Sequence, residues 1–303
     1  MVDEASTTIT TDIGDLGGII RIPETSRPLP GIVLVGGSGD GSRNDWGEWP
    51  DWIGGTSAVV LRHDKPGCGG APGHWTSQSL YDRAQETMAA LRVLRQHPST
   101  QGQPVGLYGI SQGGWVNLIA AALAGHEVDF AICHSGPFVK PAVLERKRIQ
   151  YTLKASGFDS ETISEALRWV DERTLRLVGA ETPASILHDQ NQYRDRPWFA
   201  HAVHGDYHNE TMLAFSSKLL SFDPANCLHA VTCPVLALFG GDDEEIPVAD
   251  SVQAFASQLP SDKQHGLAIF PNADHLLFQT EPSRVGQLAP GLLPAINGFL
   301  AAL

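Results

Sequence analysis

Short apolar runs that alternate with helix-like segments predict an α/β fold, in which helices flank both faces of a mostly parallel sheet. Gly31–Val35 and Gly266–Phe270 have the length and composition of buried strands. Leu80–Gln96 places its apolar residues at helical spacing. A glycine-rich turn at residues 109–113 joins a further strand-like run to a helix-like run. Together these observations indicate the fold class.

The individual elements follow from short apolar runs for strands and from apolar stripes of helical period for helices. Strands are predicted at residues 7–11, 17–22, 31–35, 58–62, 104–108, 128–133, 234–239 and 266–270. Core helices are predicted at residues 80–96, 115–123, 248–258 and 291–303. In parallel sheets of this kind the ligand site lies beyond the carboxyl ends of the strands. We therefore expect the functional residues at that edge.

The segment from residue 137 to residue 226 interrupts the alternation, because it contains no clear strand-like run. Helices are predicted there at residues 143–155, 160–178, 182–192 and 209–220. The second of these has Asp159 or Ser160 as its N-cap. A segment this long and this patterned is not a loop. We therefore predict a core formed by residues 1–136 and 227–303, with residues 137–226 inserted as a helical cap over the site.

The composition, with 42% hydrophobic and 18% charged residues, is ordinary for a globular enzyme. The net charge of -13 argues against nucleic acid or an anionic membrane as a partner, since both attract basic surfaces. Residues 1–15 lack the basic and apolar regions of a signal peptide, and no apolar run reaches transmembrane length. We therefore expect a cytoplasmic protein, and a homodimer is compatible with the sequence.

Ser111 is the candidate nucleophile, because it stands at the centre of a G-x-S-x-G pattern between a strand-like and a helix-like run. This is the context of the nucleophile elbow, a strained turn that needs small neighbours such as Gly109 and Gly113. The free N–H groups of the following helix point toward negative charge formed beside the serine. The alternative is a glycine-rich turn with an incidental serine, which the partners described next oppose.

A serine hydroxyl needs a base to take its proton and a carboxylate to orient that base. On this kind of sheet the chain order is serine, acid, histidine. The loop after the seventh predicted strand carries four consecutive acidic residues, among which we predict Asp243 as the acid, with Asp242 as the alternative. His275 follows the last predicted strand and is the predicted base. Its Nδ1 would face Asp243 and its Nε2 would face Ser111.

The negative oxygen formed by attack at Ser111 requires N–H donors. One predicted donor is the backbone N–H of Gln112, the residue after the nucleophile. The other is the backbone N–H of Ser38, in the glycine-rich loop after the third predicted strand. A phosphate-binding loop is the competing interpretation, but the sequence matches neither G-x-x-x-x-G-K-[ST] nor G-x-G-x-x-G. We therefore predict an oxyanion hole at this loop.

Three motifs resemble those of the α/β-hydrolases, and more narrowly those of bacterial carboxylesterases with a helical cap between the sixth and seventh core strands. Residues 37–44, GSGDGSRN, resemble their GSGP-type oxyanion loop, with aspartate where proline is common. Residues 62–69, RHDKPGCG, resemble their R-Y-D-K-R-G-x-G stretch, with histidine for tyrosine and proline for arginine. Residues 135–137, SGP, are also similar. The resemblance spans essentially the full length and implies the α/β-hydrolase fold, the triad and an esterase or acyl hydrolase activity.

The leading interpretation is a serine hydrolase that cleaves a carboxylic ester of a small or medium organic molecule through an acyl-enzyme. The same triad also serves amide or peptide, thioester and lactone hydrolysis and acyl transfer, which differ in pocket shape and water access. A non-catalytic binding protein on the same fold is a third interpretation, which the ordered serine, aspartate and histidine oppose. The leading interpretation needs a small-molecule acyl substrate and no metal or organic cofactor.

Five residues are candidates for the substrate pocket: Gly37, Trp46, His134, Trp198 and Phe199. Gly37 lies in the oxyanion loop, and Trp46 follows that loop. His134 ends a strand at the active edge, whereas Trp198 and Phe199 belong to the predicted cap. For the four large side chains, packing inside the protein is the competing interpretation.

A cluster of His201, His204, Asp206 and His208 contains the ligand types that suit zinc. A metal-dependent hydrolase is therefore an alternative, and it rests on this cluster alone. The spacing H-x-x-H-x-D-x-H differs from the H-E-x-x-H of helical zinc sites, and the segment has no regular pattern. We predict that the protein has no metal site.

Overall fold

The computed structural model describes residues 2–55, 57–203, 205 and 207–303. One sheet contains eight strands: β1 (Val2–Thr11), β2 (Gly14–Pro23), β3 (Gly31–Val35), β4 (Val59–His63), β5 (Val105–Ile110), β6 (Ala131–His134), β7 (Val235–Gly240) and β8 (Gly266–Phe270). Their order across the sheet is β1-β2-β4-β3-β5-β6-β7-β8. The pairs β1/β2 and β2/β4 are antiparallel, and the others are parallel. The predicted α/β fold class with a mostly parallel sheet is confirmed.

The α-helices within the described residues are α1 (Trp49–Gly54), α2 (Leu80–Gln96), α3 (Gln112–Leu123), α4 (Pro141–Ala155), α5 (Ser160–Val178), α6 (Pro183–Gln190), α7 (Phe199–Val203), α8 (Glu210–Leu220), α9 (Ala225–Leu228), α10 (Val248–Gln258) and α11 (Leu292–Ala301). No helix in those ranges is both long enough and apolar enough to cross a membrane.

Helices cover both faces of the sheet because the central strands are apolar on both faces. Along β3, Val33 and Val35 face a core that α2 and α3 complete, whereas Ile32 and Leu34 face a core that α11 completes. This alternation follows from the two-residue period of a strand. Each buried aliphatic side chain contributes roughly 1.5–3 kcal/mol to stability. The double coverage leaves the strand ends, where loops meet, as the place for a site.

Among the described residues, the helices α4 to α9 lie between β6 and β7, and we call α4 to α8 the helical insertion. They share a hydrophobic core of their own, which includes Leu153, Trp169, Trp198 and Leu213. The N-cap of α5 is Asp159, whose Oδ1 accepts the Thr162 N–H at 2.7 Å. The insertion follows the carboxyl end of β6, at the edge of the sheet where the loops after β5 and β7 also lie.

Candidate active site

Ser111 forms the turn between β5 and α3, with φ 55° and ψ −121°. This positive φ is strained for a residue that has a side chain. The flanking glycines are required, because a Cβ on Gly109 would lie 2.3 Å from the Gly113 carbonyl oxygen. A Cβ on Gly113 would lie equally close, 2.3 Å, to the Val35 carbonyl oxygen. The Ser111 N–H donates to the His134 carbonyl oxygen at 2.9 Å, which anchors the turn to β6.

His275 and Asp243 meet from the loops that follow β8 and β7. His275 Nδ1 lies 2.8 Å from Asp243 Oδ2. The Asp243 side chain is fully buried, and its Oδ1 accepts the backbone N–H groups of Glu245 at 2.9 Å and Ile246 at 3.1 Å. Because both carboxylate oxygens have donors, the aspartate is fixed in the orientation that holds the imidazole.

Asp242, the alternative acid, has a different environment. It is exposed, and its Oδ2 accepts a hydrogen bond from the Thr280 hydroxyl at 2.5 Å. Its backbone N–H donates to the Ala273 carbonyl oxygen at 2.9 Å. Of the two adjacent aspartates, the structure brings Asp243 to His275.

The pKa of His275 lies above its ordinary value of 6.5. Burial lowers this pKa, but the hydrogen bond and charge of Asp243, with the charges of Glu245 and Asp274, outweigh the burial. Glu245 acts from the side opposite Asp243, because its Oε2 lies 3.7 Å from His275 Nε2. The imidazole therefore becomes neutral, and able to accept a proton, at a higher pH than an ordinary histidine.

Ser111 and His275 line one cavity of about 190 Å³, which we call the active-site cavity. Ser38 and Gln112 also line this cavity, so the predicted nucleophile, base and two oxyanion donors all face the same cavity. The helical insertion supplies much of the opposite wall, through Leu144, Glu145 and Arg148 of α4, Tyr207, and Leu219 and Leu220 of α8. Of these wall residues the sequence suggested Tyr207 alone, as an aromatic residue of the predicted cap, because the approach of the others depends on how the insertion packs.

Gly37 and Trp46 lie beside the active-site cavity but line a second cavity, of about 220 Å³, along the loop after β3, which we call the oxyanion loop for its predicted role. We call this second cavity the loop cavity. A Cβ on Gly37 would lie 3.4 Å from Ser111 Cβ and 3.9 Å from its Oγ. The glycine therefore keeps the space next to Ser111 open, whereas Trp46 is half-buried and packs against the core that α11 completes.

The structure places the other three predicted pocket residues away from the active-site cavity, which corrects the prediction. His134 is fully buried, and its Nδ1 lies 2.8 Å from the Tyr108 hydroxyl oxygen. Burial and the charge of His275 lower the pKa of His134 to about 3, so its imidazole is neutral. Trp198 is fully buried in the core of the insertion, and Phe199 packs against that core. For all three, packing inside the protein outcompetes exposure to the cavity.

Two buried basic side chains, Lys65 and Arg83, lie next to the oxyanion loop and were not predicted as site residues. They are 8% and 7% exposed. Burial and the charge of Arg83 lower the pKa of Lys65 to about 6, and burial lowers the pKa of Arg83 to about 10. Signals existed for both, since Lys65 stands in the RHDKPGCG stretch and Arg83 lies on the buried face of α2, three residues after Leu80.

The histidine cluster near residue 204 is only partly described, because His204 and Asp206 lie outside the described residues. His201 packs edge-on against Phe158, with ring centroids 5.3 Å apart. His208 Nδ1 is hydrogen-bonded to the Gly205 carbonyl oxygen, and its Nε2 lies 2.7 Å from the Asn209 amide nitrogen. Among the residues with described positions, no group of three or more His, Cys, Asp or Glu side chains could hold a metal ion.

In the comparison with protein families, a model of the alpha/beta hydrolase family matches residues 32–288. This range contains the turn at Ser111, the glycine-rich loop after β3 and the loops that carry Asp243 and His275. No curated protein matches the chain by sequence.

Solved structures with a similar fold include several hydrolases. Est1E from Butyrivibrio proteoclasticus superimposes with a TM-score of 0.61 and 15% identity, covering 98% of each chain. The Pyrococcus furiosus esterase PF2001 superimposes with a TM-score of 0.62 and 14% identity, covering 99% of this chain and 91% of the esterase. Dienelactone hydrolase from Anabaena variabilis superimposes with a TM-score of 0.56 and 16% identity, covering 99% and 96%. At these identities the likeness concerns the fold.

Proposed function

Because the chain belongs to the alpha/beta hydrolase family, we propose that it is a serine hydrolase that cleaves a carboxylic ester of a small or medium organic molecule. One observation carries the proposal: Ser111 and the Asp243-bound His275 line the same cavity. The likeness to two esterases supports it at the level of fold. Ester cleavage by this arrangement requires no cofactor.

In the proposed reaction, Ser111 Oγ attacks the ester carbonyl while His275 Nε2 accepts the hydroxyl proton. The negative oxygen is stabilised by the backbone N–H groups of Ser38 and Gln112. The protonated His275, held by Asp243, then gives its proton to the leaving alcohol, and the acyl group remains on the serine. A water molecule, deprotonated by His275, attacks this acyl-enzyme, and the acid leaves as the proton returns to Ser111.

We extend the proposal to the helical insertion, which acts as a cap that shapes substrate choice. Leu144 of α4 and Leu219 and Leu220 of α8 give part of the wall formed by the insertion an apolar surface, beside the charged Glu145 and Arg148. A cavity of about 190 Å³ bounded in this way favours a compact apolar substituent on one side of the carbonyl. The cap lies at residues 137–226 in this proposal, and the remainder forms the catalytic core.

The proposal is tested by labelling the protein with a fluorophosphonate and by assaying p-nitrophenyl esters from acetate to decanoate. We expect one phosphonylated peptide, containing Ser111, and ester hydrolysis that the label abolishes. If Ser111 is labelled but no ester is hydrolysed, the proposed substrate class changes from an ester to an amide, thioester or lactone, and these are assayed next. A protein that neither reacts with the fluorophosphonate nor cleaves any of these substrates is a binding protein, and the proposal is then wrong.

The wall formed by the insertion makes a prediction about substrate size. Leu144→Trp fills part of the active-site cavity, so kcat/KM for the larger members of an ester series should fall by about tenfold or more relative to the smallest. Two series are measured, one with growing acyl groups and one with growing alcohols. Leu175→Trp is the matched control, because Leu175 is 74% exposed on α5. An unchanged size preference of Leu144→Trp in both series would contradict the proposed cap.

The position of Glu245 makes a prediction about pH dependence. His275 is a base only when neutral, so activity is lost as the pH falls through the pKa of His275. The charge of Glu245 helps to raise that pKa, so Glu245→Gln should shift the acid limb of kcat/KM to lower pH. The shift should shrink at high salt, because the Glu245 side chain is 64% exposed.

Glu244→Gln is the matched control for this shift. The Glu244 carboxylate accepts a hydrogen bond from the Tyr151 hydroxyl at 2.6 Å, on the adjacent helix α4. Its replacement should leave the acid limb where it is in the wild type. If both variants shift the profile equally, the effect is one of net charge and the specific role of Glu245 is refuted.

A further inference from the structure

Lys65 and Arg83 are buried basic side chains that the proposed reaction steps do not use. Lys65 follows β4, and Arg83 lies in the first turns of α2. Both side chains point at the oxyanion loop from the side that borders the loop cavity. Burying a charged group is costly unless hydrogen bonds compensate it, so the partners of these two side chains indicate what the burial accomplishes.

Lys65 binds the loop on both sides of Ser38. Its Nζ donates to the Gly37 and Gly39 carbonyl oxygens, each at 2.7 Å. The Gly37 carbonyl and the Ser38 N–H belong to one planar trans peptide unit, so they point in opposite directions. Holding the Gly37 oxygen toward Lys65 therefore turns the Ser38 N–H away from Lys65.

Arg83 connects the same loop to the residue after the nucleophile. Its Nη2 donates to the Gly36 carbonyl oxygen at 2.6 Å, and its Nη1 lies 3.3 Å from the Gly37 oxygen. Nη1 also donates to Gln112 Oε1 at 2.5 Å. One rigid guanidinium thus links the segment before Ser38 with the side chain of Gln112. The two residues proposed to supply the oxyanion donors are fixed relative to each other through Arg83.

The stretch around Lys65 reinforces this contact. The Lys65 N–H donates to the Gly41 carbonyl oxygen at 3.0 Å, and the Arg62 Nε donates to the Arg43 carbonyl oxygen at 2.7 Å. Fully buried Asp64 accepts the Arg43 N–H at 2.8 Å and pairs with its guanidinium. The RHDKPGCG stretch therefore fastens the oxyanion loop along its length, and Lys65 is its contact nearest to Ser38.

We propose that Lys65 and Arg83 form a clamp of positioning residues that aims the Ser38 and Gln112 backbone N–H groups at the oxyanion formed beside Ser111. The inference rests on the proposed serine hydrolase function. Donors held in place before the reaction stabilise the transition state without reorganising, which is how an oxyanion hole lowers the barrier. The clamp should therefore affect the chemical step more than substrate binding.

The test compares Lys65→Met and Arg83→Met with the wild type, using kcat and KM for the best ester and Ki for a trifluoromethyl ketone. The ketone forms a tetrahedral adduct whose oxyanion occupies the same position as that of the reaction. We expect kcat to fall by about ten- to a hundredfold with KM within about threefold, and Ki to rise by about the factor by which kcat/KM falls.

Arg21→Met is the matched control, because Arg21 is also a buried arginine, 3% exposed, but its guanidinium pairs with Asp51 of α1 rather than with the oxyanion loop. It should lower the melting temperature without changing kcat or the ketone Ki. If Lys65→Met and Arg83→Met also lower the melting temperature but leave kcat and the ketone Ki unchanged, the proposed clamp is overturned. If Arg83→Met does not fold, Gln112→Met and Arg83→Lys replace it, because each removes only some of the hydrogen bonds of the Arg83 guanidinium. Both variants should still lower kcat at constant KM. An unchanged kcat in both would overturn the clamp.

The outcomes separate this inference from the proposed function. A wild-type protein that hydrolyses esters and is labelled at Ser111, with variants of equal kcat, refutes the clamp alone. A wild-type protein that shows neither reaction refutes the proposed function, and the clamp falls with it. A parallel loss of kcat and ketone affinity in both variants supports the two together.

Discussion

Ser111→Ala is expected to lower kcat for the best ester by about 10⁴- to 10⁶-fold, because it removes the atom that forms the acyl-enzyme. KM should change by less than about threefold, since alanine leaves the rest of the cavity in place. Serine and alanine both carry a Cβ, so the strain of the positive φ at residue 111 is the same in the wild type and in Ser111→Ala, and folding should be unaffected. Release of p-nitrophenol gives kcat and KM, and mass spectrometry detects the loss of the acylated peptide.

Ser135→Ala is the control for this variant. Ser135 also has a positive φ, of 46°, and it follows β6 at the same edge of the sheet, but it is fully buried. Its replacement should leave kcat within about threefold of the wild type. Equal losses in the two variants, or residual activity of Ser111→Ala above about 1% of the wild type, would mean that Ser111 is not the nucleophile.

The fold could be predicted because its elements have strong local signals. The ends of α2, α5, α10, β3 and β8 were predicted to the residue, since apolar periodicity, caps and turns coincide there. The predicted sixth strand began three residues too early, at residue 128. There the Val105 N–H of β5 donates to the Asp129 carboxylate at 2.7 Å. The side chain thus takes the place of a backbone carbonyl that would otherwise accept this hydrogen bond and extend the pairing of β5 with β6. Short helices such as α7 and α9 have too few residues for a periodic signal.

The candidate site could be predicted only where a local motif fixes the backbone. Ser111 is determined by the glycines around it, whose missing side chains are a steric requirement of the turn. The loop after β7 was different, because four acidic residues in a row carry no signal of which one is buried. Burial of Asp243 depends on contacts with residues more than 30 positions away, such as His275. Long-range contacts within the insertion likewise bury Trp198 in the core of the insertion rather than in the cavity.

Asp243→Asn is expected to lower kcat by about 10³- to 10⁴-fold, whereas Asp242→Asn should change it by less than about threefold. The Asp243 carboxylate accepts the His275 Nδ1 hydrogen, and this bond selects the tautomer whose Nε2 can take a proton from the nucleophile. An asparagine amide at 243 can donate to Nδ1 and so favours the wrong tautomer. Asp242 is exposed and bound to Thr280, and asparagine can still accept that hydrogen bond.

The two aspartates are matched controls for each other, because they are adjacent, carry the same charge and differ mainly in burial. Since the charge of Asp243 also helps to raise the pKa of His275, any residual activity of Asp243→Asn should persist to lower pH than that of the wild type. Full pH profiles of kcat/KM for both variants measure the two effects together. A larger loss in Asp242→Asn would assign the acid to Asp242 and would mean that the loop after β7 rearranges when substrate binds, because in this structure the Asp242 carboxylate is bound to Thr280 rather than to His275.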